Sequence, residues 1–282
     1  MKHLERLDEL TGHYDVLFCD VWGVVHNGVA AYPTAVEALK RARAQGVTVI
    51  LVTNSPRPNP GVEAQMLLLG VPEDAYDRVV TSGDVTRDLI AEGPRKVFHI
   101  GNERELSIYD GLGVELVEEF EAAGIVCTGL FDDEVETPED YAELLQRLRS
   151  RNLPFICANP DIMVERGARL IWCAGALARD YGQLGGRTLI AGKPHRPIYE
   201  AALQAAEEIR GGTIDKSRIL GIGDGVLTDV KGAAGFGLDV LYISGGIHAA
   251  DYTSEGIVDF EKMNAFLEKH GHRPVATLQA LV

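Results

Sequence analysis

YDVLFCDVWGVVHNG (Tyr14–Gly28) carries an apolar run into an aspartate, then a tryptophan, two glycines and a histidine. The run YDVLFC is bounded by polar residues and reads as a buried strand, which puts Asp20 at its carboxyl end. Pro33 opens PTAVEALKRARAQG, with apolar residues at helical spacing and Gly46 as the stop. VTVILVTN follows, a β-branched run that ends on Thr53, Asn54 and Ser55. Full-length apolar runs of this kind, unlike alternating ones, belong to strands covered on both faces, as in parallel sheets.

The same rhythm continues outward. A helix is expected over Gly61–Leu69, and DRVVTSGD returns to a short strand. In the middle of the chain KVFHIG, VELVE, GIVCTGL and LPFICAN read as strands, while Thr137–Ser150 and Ile171–Tyr181 read as helices. Thr137 with Pro138 and Asp140 makes a good helix start. After GQLGGR the early rhythm resumes: TLIAGK as a strand, Pro197–Ile209 as a helix, RILGIGD as a strand, Thr228–Ala234 as a helix and DVLYISGG as a strand. Strands alternating with helices predict βαβ units and a doubly wound parallel α/β sheet, with a middle module set into an otherwise continuous core.

Bulk properties narrow the classes of function. The 282 residues suffice for one large α/β domain or two smaller ones, and 46% hydrophobic with 24% charged residues gives ample core material. A net charge of −15 argues against a general nucleic-acid or membrane-surface role, which calls for a basic patch. It leaves room for small anionic substrates, because a metal ion and a few local cations can reverse the field inside one pocket. Cys19, Cys127, Cys157 and Cys173 are far apart in apolar runs and form no metal-like pair, so they read as reduced core residues. The charged N-terminus lacks the apolar core of a signal peptide, and no window approaches ~18 uninterrupted apolar residues. A soluble, cytoplasmic protein is expected.

Ligands of open α/β sheets bind beyond the carboxyl ends of the strands. The polar residues there are Asp20, Thr53 with Asn54, Lys193, and Asp224 with Asp229 five residues on. Two carboxylates can hold a hard divalent cation such as Mg²⁺ and leave room for a substrate phosphate. The hydroxyl, nearby backbone N–H groups and Lys193 can bind phosphoryl oxygens, and one carboxylate can attack phosphorus to form an aspartyl-phosphate. Taken singly, an aspartate at a strand end is ordinarily a turn or helix cap, and Asp229 with Thr228 beside it could cap its own helix. The ordered set is what points to chemistry. The glycines of GIGDG do not make a dinucleotide fingerprint, since position 226 is valine.

In this order the motifs resemble those of the haloacid dehalogenase (HAD) superfamily of phosphohydrolases, specifically the class IIA branch of NagD-like and 4-nitrophenylphosphatase-like proteins. DVWGVVHNG corresponds to the first motif, LVTNS to the second, AGKPH to the third and GIGDGVLTDVKGA to the fourth, with its GDxxxTD spacing. ANPD (Ala158–Asp161) looks like the NPD signature of the inserted cap, although a plain strand-ending turn explains Asn159, Pro160 and Asp161 equally well. The resemblance implies a Rossmann-like core with a parallel sheet over residues 1–81 and 188–282, and a C2-type α/β cap over 82–187. It also implies Asp20 as nucleophile, Thr53 as a phosphate-binding hydroxyl, and Lys193 stabilising both the nucleophile and the transferred group. Mg²⁺ would be bound by Asp20, Asp224 and the backbone carbonyl of Trp22, with Asp229 in support. Asn54 and Trp22 would reach the substrate. A small phosphorylated metabolite is the implied ligand, and a cap-mediated homodimer the implied assembly.

One position departs from the family pattern. HAD phosphatases carry an acid two residues after the nucleophile; this chain has Trp22. An indole has one N–H donor and no acid–base capacity. General acid–base catalysis typically contributes ~10²–10⁴-fold, so slow turnover biased toward aryl and acyl phosphates is expected. His26, four residues on, could supply the proton; a structural hydrogen-bonding role is its competing reading. Trp22 could equally wall the pocket, stack on an aromatic ligand or simply pack. The main rival to a phosphatase is a catalytically impaired HAD protein that binds a phosphorylated metabolite or partner as a sensor. A dehalogenase fits less well, because Asp224 and the GDxxxTD spacing favour metal and phosphate.

Overall fold

In the computed structural model, which describes residues 1–254 and 257–282, two parallel sheets carry the fold. The core sheet has seven strands in the order Lys2–His3, Ala276–Leu278, Asp239–Ile243, Ile219–Gly223, Val16–Cys19, Thr48–Thr53 and Arg78–Thr81, all parallel. Every residue of Val16–Cys19, Thr48–Thr53 and Ile219–Gly223 is buried. Alternate side chains explain why no polar face is left. Leu17 and Cys19 face a cluster that includes Leu39 and Met66. Val16 and Phe18 face another, built around Ile198, Tyr199 and Ala202 of the helix Arg196–Arg210. Helices on both faces account for the unbroken apolar runs. Each such fully buried aliphatic side chain contributes about 1.5–3 kcal/mol.

The second sheet is smaller, with five parallel strands in the order Thr188–Ile190, Phe155–Cys157, Gly124–Cys127, Lys96–Ile100 and Glu115–Leu116. It has its own core around Phe155, Tyr181, Leu145 and Leu177. The helical segment at 137–150 begins as foreseen: Thr137 and Asp140 form a capping box, a short 3₁₀ turn covers Pro138–Tyr141, and the α-helix runs Ala142–Ser150. All four cysteines are free and buried. Among the described residues no helix is long and apolar enough to cross a membrane.

Two expectations are corrected. TLI continues the early rhythm in sequence, yet Thr188–Ile190 pairs with Phe155–Cys157 and belongs to the second sheet. A three-residue apolar run says nothing about which of two parallel sheets it joins. The segment Ile171–Tyr181 is helical only from Ala174, where the helix Ala174–Gln183 starts. Before it, Arg169–Trp172 pairs antiparallel with Met163–Arg166 in a hairpin that stands off the second sheet. Strands of four residues are too short to show their own period.

Candidate active site

Val16–Cys19 lies between Ile219–Gly223 and Thr48–Thr53, so the residues that leave these strands emerge side by side. Asp20, Asp224 and the Thr53–Asn54 pair therefore meet at one sheet edge. Lys193 arrives on the loop that follows Thr188–Ile190 and inserts between carboxylates: its Nζ donates to Asp20 Oδ1 at 2.5 Å and to Asp229 Oδ1 at 2.6 Å. Asp229 Oδ2 also accepts the Gly225 N–H at 3.0 Å, so this residue does hold its own turn while binding the lysine. Asp224 Oδ2 accepts the Ile247 N–H at 2.9 Å. Gly23 is required beside it, because a Cβ there would sit 2.3 Å from Asp224 Oδ2. Thr53 is buried and its Oγ1 accepts the Ser55 N–H.

Asn54 joins three segments. Its Oδ1 accepts the Lys193 N–H at 2.8 Å, and its Nδ2 donates to the Lys193 carbonyl at 3.3 Å and to Asp161 Oδ1 at 2.9 Å. It orients the lysine and reaches the second domain.

Negative charge is in excess here. Asp20, Asp224 and Asp229 present carboxylate oxygens within 4.8 Å of one another, and all three are buried. Burial, and then the charge of Asp229, lift Asp20 well above the usual carboxylate range against the opposing pull of Lys193. The same two causes push Asp224 up to about 7. Burial disfavours the Lys193 ammonium, but Asp20 and Asp229 more than offset it and raise its pKa. One ammonium does not neutralise three buried carboxylates, and a hard divalent cation is the ion such an oxygen set accepts.

Trp22 lines the same space and reaches the hairpin. Its Nε1–H donates to the backbone carbonyl of Glu165, and a Cβ on Gly28 would fall 2.4 Å from the indole ring. The Gly167 N–H donates to the Asn27 carbonyl at 3.0 Å, so the loop after Asp20 and the hairpin are joined twice. His26 meets the indole edge-on at 5.1 Å between ring centroids, and its Nδ1 accepts the Gly28 N–H at 3.0 Å. It is buried, and burial depresses its pKa to about 4, which leaves it neutral and structural near pH 7.

Two cavities meet at this point. An inner chamber of about 60 Å³ is lined by Asp20, Thr53, Asn54, Lys193, Asp224 and Asp229, among others. It has room for a few waters or one compact group. An outer cleft of about 530 Å³ opens between the core and the second domain, walled by Arg57, Glu105, Thr128, Asp133, Arg166 and Trp172 among others. Trp22, Thr53, Asp161 and Val164 line both. The sequence does not single out Arg57, Glu105, Thr128, Asp133, Arg166 or Trp172. They come from dispersed segments, and Arg57, two residues beyond LVTNS, is the one with a nearby motif. Asn159 Oδ1 accepts the Asp161 N–H at 3.1 Å, so ANPD does form a turn, and that turn presents Asp161 to both cavities.

Comparison with known proteins agrees with this arrangement. A family model described as haloacid dehalogenase-like hydrolase matches residues 17–115, and one described as HAD-hydrolase-like matches residues 190–262. A haloacid dehalogenase-like hydrolase from Brucella suis 1330 is 80% identical over 99% of this chain and 100% of its own, with a TM-score of 0.91. The acid sugar phosphatase of Staphylococcus aureus is 26% identical over 83% of this chain and 88% of its own length. The ribonucleotide monophosphatase NagD of Escherichia coli is 25% identical over 83% of this chain and 89% of its own. The fold is thus shared, and this chain belongs to the haloacid dehalogenase-like hydrolases, in their class IIA, NagD-like branch.

Proposed function

We propose that the protein is a Mg²⁺-dependent phosphatase of a small phosphorylated metabolite, working through an aspartyl-phosphate on Asp20. The observation that carries this reading is Lys193 Nζ held at 2.5 Å from Asp20 and 2.6 Å from Asp229, in a chamber of about 60 Å³ also lined by Thr53. The names of the relatives, a sugar phosphatase and a nucleotide phosphatase, favour phosphomonoester substrates.

Asp20 attacks phosphorus and Lys193 offsets the charge of nucleophile and phosphoryl group together. Without that cation, one anion would be driven against another. The Thr53 hydroxyl binds a phosphoryl oxygen, and Asn54 fixes the lysine backbone. Asp20, Asp224 and the Trp22 carbonyl hold the Mg²⁺, with Asp229 in support. The ion supplies neutralisation of phosphoryl charge. The organic part of the substrate occupies the outer cleft under the cap, whose sheet includes Thr188–Ile190, and specificity resides there. The indole at position 22 supplies no proton, so without an acid from elsewhere in the site turnover would be slow and would favour aryl and acyl phosphates, whose leaving groups need none.

The test is Mg²⁺-dependent phosphate release across aryl, acyl, sugar and nucleotide phosphates, with Asp20→Asn as control. Turnover that vanishes in the variant is the expected result. The competing reading, an impaired protein that senses a phosphorylated ligand, draws on Trp22 as well. It predicts tight binding of such ligands with no Asp20-dependent release.

A further inference from the structure

Hydrolysis of an alkyl phosphate needs a proton for the departing oxygen, and the core offers none at position 22. His26 does not fill the gap. It is buried behind Trp22, its Nδ1 is occupied by the Gly28 N–H, and it lines neither cavity. A bound phosphomonoester with its phosphoryl group in the inner chamber and its organic part in the outer cleft places its bridging oxygen at the border between them. Four residues line both spaces: Trp22, Thr53, Asp161 and Val164. Asp161 is the only carboxyl group among them.

Its surroundings suit proton transfer. Oδ1 of Asp161 is taken by Asn54 Nδ2 at 2.9 Å, and no protein group among the described residues bonds Oδ2. Its own N–H is fixed by Asn159 Oδ1 at 3.1 Å. The charged side chains that share the inner chamber are Lys193, Asp20, Asp224, Asp229 and Glu165. Burial raises the Asp161 pKa, with Lys193 and Asn54 acting against it, so the carboxyl holds its proton more readily than a free aspartate. Glu165, the other cap carboxyl in the chamber, does not line the outer cleft. Its backbone carbonyl takes the indole proton of Trp22, in the strand Met163–Arg166 that starts two residues after Asp161.

We propose that Asp161, carried on the cap, is the proton donor and acceptor of the reaction, and that Trp22 is the positioning residue that seats it. The inference rests on the phosphatase reading above. As Asp20 forms its bond to phosphorus, the bond from phosphorus to the bridging oxygen breaks, and that oxygen takes the Asp161 proton and leaves as an alcohol. Water then attacks the aspartyl-phosphate, gives its proton back to Asp161, and releases phosphate and free Asp20. The acid thus stands on the cap, held to the core by Asn54, rather than two residues after Asp20.

Asp161→Asn is the deciding variant, because it keeps an oxygen for Asn54 and removes the exchangeable proton. Glycerol phosphate and 4-nitrophenyl phosphate serve as substrates, with kcat/KM reading the first step and trapped phosphoenzyme reading the second. The expected result is a fall of about 10²–10⁴-fold in kcat/KM for glycerol phosphate, near-constant kcat/KM for the nitrophenyl ester, and accumulation of phosphoenzyme from both. Trp22→Phe keeps an aromatic ring but loses the bond to Glu165 and part of the indole packed against Gly28, and it should repeat the same leaving-group bias to a smaller degree. Equal losses on both substrates, or no loss, overturn the proposal while Asp20-dependent turnover leaves the phosphatase reading standing. Absence of Asp20-dependent turnover in the unmodified protein overturns both.

Discussion

The inner chamber and the outer cleft share a wall but are built on opposite rules. In the chamber the ionic groups are bound to one another at short range: Lys193 is clasped by Asp20 and Asp229, and Asp224 by a backbone N–H. In the cleft the pairing is looser: Arg57 Nε and Glu105 Oε2 face each other as an ion pair at 3.6 Å, beyond hydrogen-bond reach, and the buried Thr128 Oγ1 has no hydrogen-bond partner. Buried polar atoms ordinarily find one, and an orphan costs about 1–3 kcal/mol. The chamber is thus preorganised for a single chemical event, whereas the cleft keeps unmet hydrogen-bonding capacity for whatever enters it. Fixed reaction and adjustable specificity are separated by little more than the Trp22 indole.

The sharpest break of this comparison is at Asp20, the proposed nucleophile. Asp20→Asn should lower turnover by at least roughly 10⁴-fold, as removal of an attacking group does elsewhere; retained phosphate release would mean that the chamber is not where the chemistry happens. Lys193→Met leaves Asp20 and Asp229 buried without their cation, and stripping one side of a buried ion pair costs about 3–5 kcal/mol. Urea unfolding would read this, and an unchanged midpoint would show that the chamber is not held by its charges. A smaller effect belongs to the histidines, one in each domain. Burial depresses both His26 and His99 to about 4, below the ordinary value of 6.5. The native state then binds fewer protons than the unfolded chain, so their contribution is intact above pH 6.5 and is lost as pH falls toward 4. His26→Gln should flatten that acid limb by about 1–3 kcal/mol in denaturation curves taken across the window; an unaltered limb would show that His26 is already charged in the native state. Least affected should be Glu105→Gln in the cleft. It should raise KM for a hydroxylated substrate by about tenfold and leave kcat within a factor of two, since one hydrogen bond to a charged group is at stake. A loss in kcat instead would erase the division between the two spaces.

The same division separates what was legible in the sequence from what was not. Asp20, Thr53, Asn54, Lys193, Asp224 and Asp229 each follow a strand or sit in a short motif, and a parallel sheet forces strand ends together. Their convergence could be argued from local pattern alone. The partner of Trp22 could not, because Glu165 lies 143 positions away on a hairpin whose four-residue strands carry no readable period. Asp161 was visible as part of ANPD, yet a turn and a functional acid look alike in one dimension; only the two cavities tell them apart. Arg57, Glu105 and Thr128 come from three separate segments, and Lys193 was placed correctly at a strand end although that strand, Thr188–Ile190, belongs to the other sheet.

The four cysteines have a practical side. All are buried, and burial raises their thiols above the ordinary value, which suppresses reactive thiolate at neutral pH. Slow reaction of the native protein with maleimides is the expected outcome, with Cys173, which lines the outer cleft, the first to react. Leu68 on the core helix Asn59–Leu69 and Leu170 on the cap hairpin are 88% and 57% exposed. The pair Leu68→Cys and Leu170→Cys would take spin labels or fluorophores without removal of any natural sulfur. The distance between core and cap could then be compared with and without a bound phosphate ester, in a protein otherwise left as it is.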